Sequence, residues 1–157
     1  METVRDGAKV LFPPPLIYLG GLALGIVAER LLNLPTLGLQ PAVRELPGGI
    51  LAVLGQVVSF TGAGTFRRRG TAVLPFKPAS RLVTSGIYRW TRNPMYVGMA
   101  LTYAGVAIFV NSLSALVLLP VVLAIIQTQV VAKEEAYLER TFGNDYATYK
   151  NEVRRWL

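Results

Sequence analysis

The sequence predicts an all-α integral membrane protein of about four transmembrane helices, with both termini cytoplasmic and an amphipathic helix at the C-terminal end. Three observations predict it. Forty consecutive residues, 93–132, carry no charge; as a helix they would rise ~60 Å, about twice the ~30 Å hydrocarbon layer of a bilayer. Two more uncharged apolar runs precede them, 10–28 and 46–66. Hydrophobic residues make up 52% of the 157, which suits one small membrane domain better than a soluble one.

The elements follow in order. Span one occupies the 10–28 run after a short mixed-charge N-terminus, and Pro13-Pro14-Pro15 delays its helix because only a first turn accepts proline. Glu29-Arg30 closes it and is expected to pair or snorkel at the far interface, a carboxylate so near a span being also a functional suspect. Span two, 46–66, ends at Arg67-Arg68-Arg69. The long run supplies spans three and four, with Asn111-Ser112 as turn and helix cap. Pro120 is expected to kink span four. Gly21/Gly25 and Gly55/Ser59/Ala63 recur at four-residue spacing, the pattern of closely packed membrane helices within a chain or between copies. Helix then continues past Glu135 to Phe142, where Gly143 stops it. Tyr146, Tyr149, Val153 and Trp156 share a face opposite Lys150 and Arg154, predicting a short helix on the cytoplasmic membrane surface. The expected organisation is one membrane domain, 1–157: two N-terminal spans (1–66), a basic loop (67–92), a helical hairpin (93–132) and a cytoplasmic extension with its tail (133–157).

Charge sets the expected orientation. The loop holds Arg67, Arg68, Arg69, Lys77, Arg81, Arg89 and Arg92 and no acidic residue, whereas the opposite face offers little beyond Arg30 and Arg44. The positive-inside rule puts the loop and both termini in the cytoplasm, and no cleavable signal is evident. The net charge of +7 follows the spans, so it argues for membrane rather than nucleic acid. Cysteine and histidine are both absent. That excludes thiolate nucleophiles, thiolate metal sites, the commonest neutral-pH base and the commonest zinc ligand. Gly62-Ala63-Gly64 faintly suggests a dinucleotide fingerprint, but Arg67 replaces the third glycine and the segment ends a span.

Chemistry is expected where the ends of the hairpin meet. Asn93-Pro94 suits an N-cap and first helical position, and a helix starting there points free N–H groups and a positive dipole end at the loop. Arg92 adds a planar fork for carboxylate or phosphate. Counting back from the Asn111-Ser112 turn, Pro94 lies level with Gln129, and Glu134-Glu135 come about one turn beyond, opposite Arg92 and near Tyr88. Gln127, Val131, Glu134 and Leu138 share one face by α-helical spacing. An Arg92–glutamate pair either holds a ligand or merely fastens the hairpin; spacing alone leaves both open.

Taken together, Gly86-x-Tyr88-x-x-x-Arg92-Asn93-Pro94-Met95-Tyr96-x-Gly98, a long apolar stretch, Glu134-Glu135 and Phe142-Gly143-x-x-Tyr146 resemble the isoprenylcysteine carboxyl methyltransferase and phospholipid methyltransferase superfamily. The resemblance covers about residues 65–157. It implies an enzyme that uses S-adenosyl-L-methionine (SAM) to methylate a lipophilic or lipidated acceptor drawn from the bilayer, an isoprenylcysteine-like carboxylate or a lipid amine. It further implies cofactor binding by Gly86, Tyr88, Arg92, Asn93, Pro94, Tyr96, Gly98, Glu134 and Glu135, with Arg92, Glu134 and Glu135 the candidate catalytic residues, and no metal. Arg92 and the helix start suit the cofactor's carboxylate; a glutamate suits its ammonium or a ribose hydroxyl. Eukaryotic members usually carry histidine where Asn93 stands, as many small prokaryotic members do not, and an amide shuttles no proton. The acceptor pocket is expected between spans three and four and part of the 67–92 loop. The alternatives are a nicotinamide-dependent membrane reductase of related architecture and a non-enzymatic structural membrane protein.

Overall fold

The computed structural model describes residues 8, 10–71 and 78–157; the mixed-charge N-terminus and Lys77 lie outside them. All regular structure among the described residues is helical. Helix α1 spans Pro14–Leu31 and α2 Pro41–Arg68, each opening on a proline whose missing N–H has no intrahelical partner to lose. A single 3₁₀ turn, Gly86–Arg89, leads to α3, Pro94–Phe109. The hairpin turns through Asn111, which adopts φ 64°, and Ser112, whose hydroxyl accepts from Ala115 N–H at 3.2 Å. Helix α4, Leu113–Ile126, passes through Pro120 and continues as a π-helical stretch, Gln127–Val131, into α5, Ala132–Phe142. Gly143 at φ 51° breaks the chain direction before α6, Asn144–Glu152.

Helices α1, α2 and the continuous Leu113–Phe142 unit are long and apolar enough to cross a membrane, and α3 is a fourth, shorter apolar helix. The chain is an integral membrane protein. Few of the residues on these helices are buried, and the leucines, valines and phenylalanine on their outer faces (Leu19, Leu24, Val53, Phe60, Val117) are left to lipid.

Small residues set the packing. A Cβ on Gly98 would lie 2.5 Å from the Gly55 carbonyl oxygen, and one on Gly48 2.8 Å from that of Gly105. The contact ridge on α2 is therefore Gly48, Gly55 and Gly62, seven residues apart, with Ser59 beside it; the expected Gly55/Ser59/Ala63 row captures only part of it. Gly25 on α1 similarly faces the Ala115 backbone of α4, where a Cβ would come within 2.5 Å. These contacts lie within the chain. Gly55→Leu should therefore lower the thermal midpoint in detergent by roughly 5 °C or more, while Gly20→Leu, a site with nothing within 4 Å, should leave it nearly unchanged. Equal midpoints would mean that the α2–α3 contact contributes little.

Glu29 is buried rather than snorkelling. Its carboxylate accepts from Ser114 N–H at 2.8 Å and Ser112 Oγ at 3.2 Å, so α1 supplies the anion that the N-terminus of α4 attracts. At the opposite end, α3 starts short of its neighbours. Gly62 of α2 packs on Met95, and α2 runs on to Arg68; Tyr96 meets Glu134, and α5 runs on to Phe142. The overshoot on both sides leaves a recess above Pro94.

Candidate active site

The recess is a cavity of about 840 Å3 including its open mouth, walled by the start of α3, by α5, by α6 and by the segment before the 3₁₀ turn. Of the expected residues, Tyr88, Arg92, Asn93, Tyr96, Glu134 and Glu135 line it. Gly86, Pro94 and Gly98 do not. Gly86 takes φ 65° in the turn before Tyr88, Pro94 is the buried first residue of α3, and Gly98 lets α2 approach. Gly86 and Gly98 shape the site through the backbone, where glycine's access to positive φ and lack of a Cβ are what matter, and Pro94 fixes where α3 begins.

The two glutamates have different partners. Glu135 receives Arg92 Nη2 at 3.2 Å on Oε1 and a two-pronged contact from Arg155, Nε to Oε1 at 2.9 Å and Nη2 to Oε2 at 2.7 Å. The side chains of Arg92 and Glu135 are only 8% and 10% exposed. Glu134 instead accepts the Tyr96 hydroxyl at 2.6 Å. The π-helical stretch separates these roles: Ala132 N–H donates to Gln127 O, five residues back, so the α-helical face drawn from Gln127 through Val131 to Glu134 does not run straight through. Such stretches recur at functional sites.

The tail departs most from expectation. The aromatic face of helix α6 is covered by the chain itself. Tyr146 and Tyr149 are buried and turned into the cavity wall, and Tyr149 donates to the Tyr88 carbonyl at 2.7 Å. The helix ends at Glu152, and the extended residues beyond it lie across the start of α3. Arg92 N–H donates to Arg154 O at 2.9 Å, and the Asn93 side-chain amide to Arg155 O at 2.9 Å. Asn93 therefore stands at the N-cap of α3 without capping it through its side chain; its amide binds the tail. Trp156 closes the seam by donating to Gln127 Oε1 at 3.0 Å. Arg155 was invisible to helical periodicity because it follows the end of the helix. Replacing it by alanine should speed amide exchange over 153–157 and expose the tail to protease, with α1 and α2 unaffected; unchanged exchange would mean that the backbone bonds alone hold the tail.

Unpaired groups point to a ligand. Arg92 Nε and Nη1 and the Tyr88 hydroxyl are buried with no hydrogen-bond partner among the described residues, a state that a native site tolerates where something else completes it. Burial, reinforced by the Glu135 charge, pushes the Tyr146 phenol up to about 12. Burial first, then Tyr149 and Glu134, likewise raises that of Tyr88. Both therefore stay protonated as donors at neutral pH. The site thus offers guanidinium and phenol donors beside carboxylates, Arg92 on Glu135 and Tyr96 on Glu134. A zwitterionic ligand with an anionic and a cationic end fits that layout.

Comparison with known proteins gives the family. The family model described as phospholipid methyltransferase matches residues 43–145. A protein-S-isoprenylcysteine O-methyltransferase of Schizosaccharomyces pombe is 36% identical over 72 residues, covering 46% of this chain and 30% of that protein. The Saccharomyces cerevisiae protein of the same name is 30% identical over 108 residues, 68% of this chain and 45% of that one. An uncharacterized protein of Haemophilus influenzae is 42% identical over 68 residues, 43% of this chain and 82% of its own length. The chain thus spans less than half the length of the two yeast proteins.

Proposed function

The chain belongs to the phospholipid methyltransferase family, and from that premise we propose that it moves a methyl group from SAM to a lipophilic acceptor presented by the bilayer. The observation that carries the reading is the pair of buried, unpartnered N–H groups on Arg92, a residue that lines the cavity together with Glu134 and Glu135. SAM has an α-carboxylate for that guanidinium and an ammonium and ribose hydroxyls for carboxylate oxygens. When bound, it supplies a sulfonium-activated methyl.

The residues of the chain bind, orient and exclude water. Arg92 is paired with Glu135 through Nη2, which leaves Nε and Nη1, on separate edges of the guanidinium, for acceptors on the ligand. Glu135 is itself held by Arg155, so the tail fixes the guanidinium from below. Tyr88 donates its free hydroxyl. Glu134 offers its carboxylate from the wall it shares with Tyr96. Asn93 anchors the tail and has no part in proton transfer. Because the reaction needs mainly an in-line approach in a dry site, positioning supplies most of the catalysis. An acceptor oxygen or nitrogen would be held by these walls in line with the methyl that the cofactor would supply. A carboxylate acceptor has no proton to lose. An amine arrives neutral and sheds its proton after transfer, to Glu134 or to solvent.

The basic residues Arg67, Arg68, Arg69 and Arg92 gather at the end of the molecule that holds the cavity, so by the positive-inside rule the site faces the cytoplasm. Calorimetry of the detergent-purified protein tests the cofactor. SAM should bind and reduced nicotinamide dinucleotides should not. Binding of the dinucleotide alone would support a reductase, and binding of neither by folded protein would leave the Arg92–Glu135 pair as a fastener.

A further inference from the structure

Outside the recess, two arginine-bearing stretches meet at one corner of the molecule. The 3₁₀ turn packs against the end of α2: the Phe66 and Tyr88 rings lie 5.1 Å apart, Gly86 backs onto Thr65, and Arg69 donates to Ser85 Oγ at 2.9 Å. These contacts gather Arg67, Arg68 and Arg69, which close α2, with Arg89, which follows Tyr88; all four are exposed. Trp90 comes next and is 80% exposed, more than any other large hydrophobic residue described. No acid neutralises the corner. The sequence has no acidic residue between Glu45 and Glu134, and among the described residues none of these four arginines takes part in an ion pair. Glu134 and Glu135 are engaged inside the recess by Tyr96, Arg92 and Arg155.

We propose that this corner docks the headgroups of anionic phospholipids, its arginines on the phosphate and Trp90 seated beside them at the level of the glycerol and first acyl carbons. The depth follows from the packing. The uncharged run of α2 ends at Phe66, and a charge within hydrocarbon is costly, so the chain leaves the hydrocarbon there. Tyr88 against Phe66 sets the turn at that level, and Trp90 stands two residues on, at the boundary that indoles favour. A guanidinium presents paired N–H donors that match phosphate oxygens. A zwitterionic headgroup would bring its own cation to a place without a carboxylate to receive it; an anionic one would not. A cationic excess that merely orients a membrane protein requires neither two segments converging on one corner nor an exposed tryptophan among them. The corner is also held in place. Tyr149 donates to the Tyr88 carbonyl on one side of Arg89-Trp90, and Arg92 N–H donates to Arg154 O on the other. None of this depends on which ligand fills the recess.

The test reads Trp90 fluorescence from full-length protein in phosphatidylcholine nanodiscs carrying a small fraction of lipid brominated on its upper acyl carbons. Subtracting the signal of Trp90→Phe removes the contribution of Trp156, the other tryptophan. Brominated phosphatidylglycerol should quench Trp90 roughly twofold or more beyond the same fraction of brominated phosphatidylcholine, and the excess should shrink as salt is raised. It should vanish in the triple variant Arg67→Gln, Arg68→Gln, Arg89→Gln and persist in Arg30→Gln, at the far end of α1. Equal quenching of the wild type by the two brominated lipids would overturn the site without recourse to any variant. So would an excess that the triple variant keeps or that Arg30→Gln also loses. Loss of the excess on adding inorganic phosphate at constant ionic strength would show a site for free phosphate in place of a lipid, and would overturn the proposal as well.

Discussion

Replacing Arg92 by alanine is expected to weaken SAM binding at least a hundredfold while leaving the protein folded, with a thermal midpoint near that of the wild type. A hundredfold corresponds to about 2.7 kcal/mol, the scale of a charged hydrogen bond lost in a desolvated pocket. The fold should survive because Glu135 keeps its second partner: Arg155 still holds both carboxylate oxygens, at 2.9 and 2.7 Å. Glu135→Ala is a different experiment. It leaves the Arg92 guanidinium, 8% exposed, without its counter-ion and frees Arg155, and with it the tail, from α5. Removing one member of a buried pair typically costs about 3–5 kcal/mol. That variant should lose SAM binding and stability together, and so says little about the ligand. Arg92→Lys separates fork from charge, since an ammonium cannot span Glu135 and a ligand carboxylate in one plane; it should keep the stability of the wild type and restore binding only in part. Wild-type SAM affinity in Arg92→Ala would remove Arg92 from the cofactor site.

That pairing shows what the amino-acid order made legible. The hairpin was readable because a charge inside hydrocarbon is costly, so the ends of the 93–132 run mark where the chain leaves the bilayer. Equal arm lengths about Asn111-Ser112 then brought Arg92 level with the glutamates. Which glutamate takes which partner was not readable. The two are adjacent, and a π-helical stretch between Gln127 and Val131 alters the helical count just upstream of them without any residue that signals it. The tail misled for a related reason. Periodicity reports that Tyr146 and Tyr149 share an apolar face but not what covers that face, and a recess in the same chain competes with lipid. Arg155 lies in an extended segment beyond α6, where no period applies. The glycine row was half legible: four-residue spacing caught Gly55 and Ser59, but the α2–α3 ridge repeats every seven.

Tyr96→Phe is expected to reduce methyl transfer tenfold to a hundredfold while changing SAM affinity less than about threefold, the pattern of an interaction felt mainly in the transition state. Tyr96 lines both the polar recess and an apolar groove between α1, α2 and α3 and is the partition between them, so its ring and its hydroxyl have separable duties. Phenylalanine keeps the ring, hence the partition and the Tyr18 bond to the main-chain carbonyl. It removes only the donor to Glu134, whose carboxylate then turns toward water or toward the ligand's ammonium. Tyr96→Ala removes the ring as well and joins the apolar groove to the polar recess, so the wall that positions the reacting atoms is lost; transfer should fall below detection. The readout is labelled methyl from SAM recovered in the membrane lipid and prenylated fractions, beside calorimetry of SAM on the same preparations. Should Tyr96→Phe lose SAM affinity in full proportion to its rate, the hydroxyl would be a cofactor contact alone. Undiminished transfer in Tyr96→Ala would place the reacting atoms somewhere other than the partition.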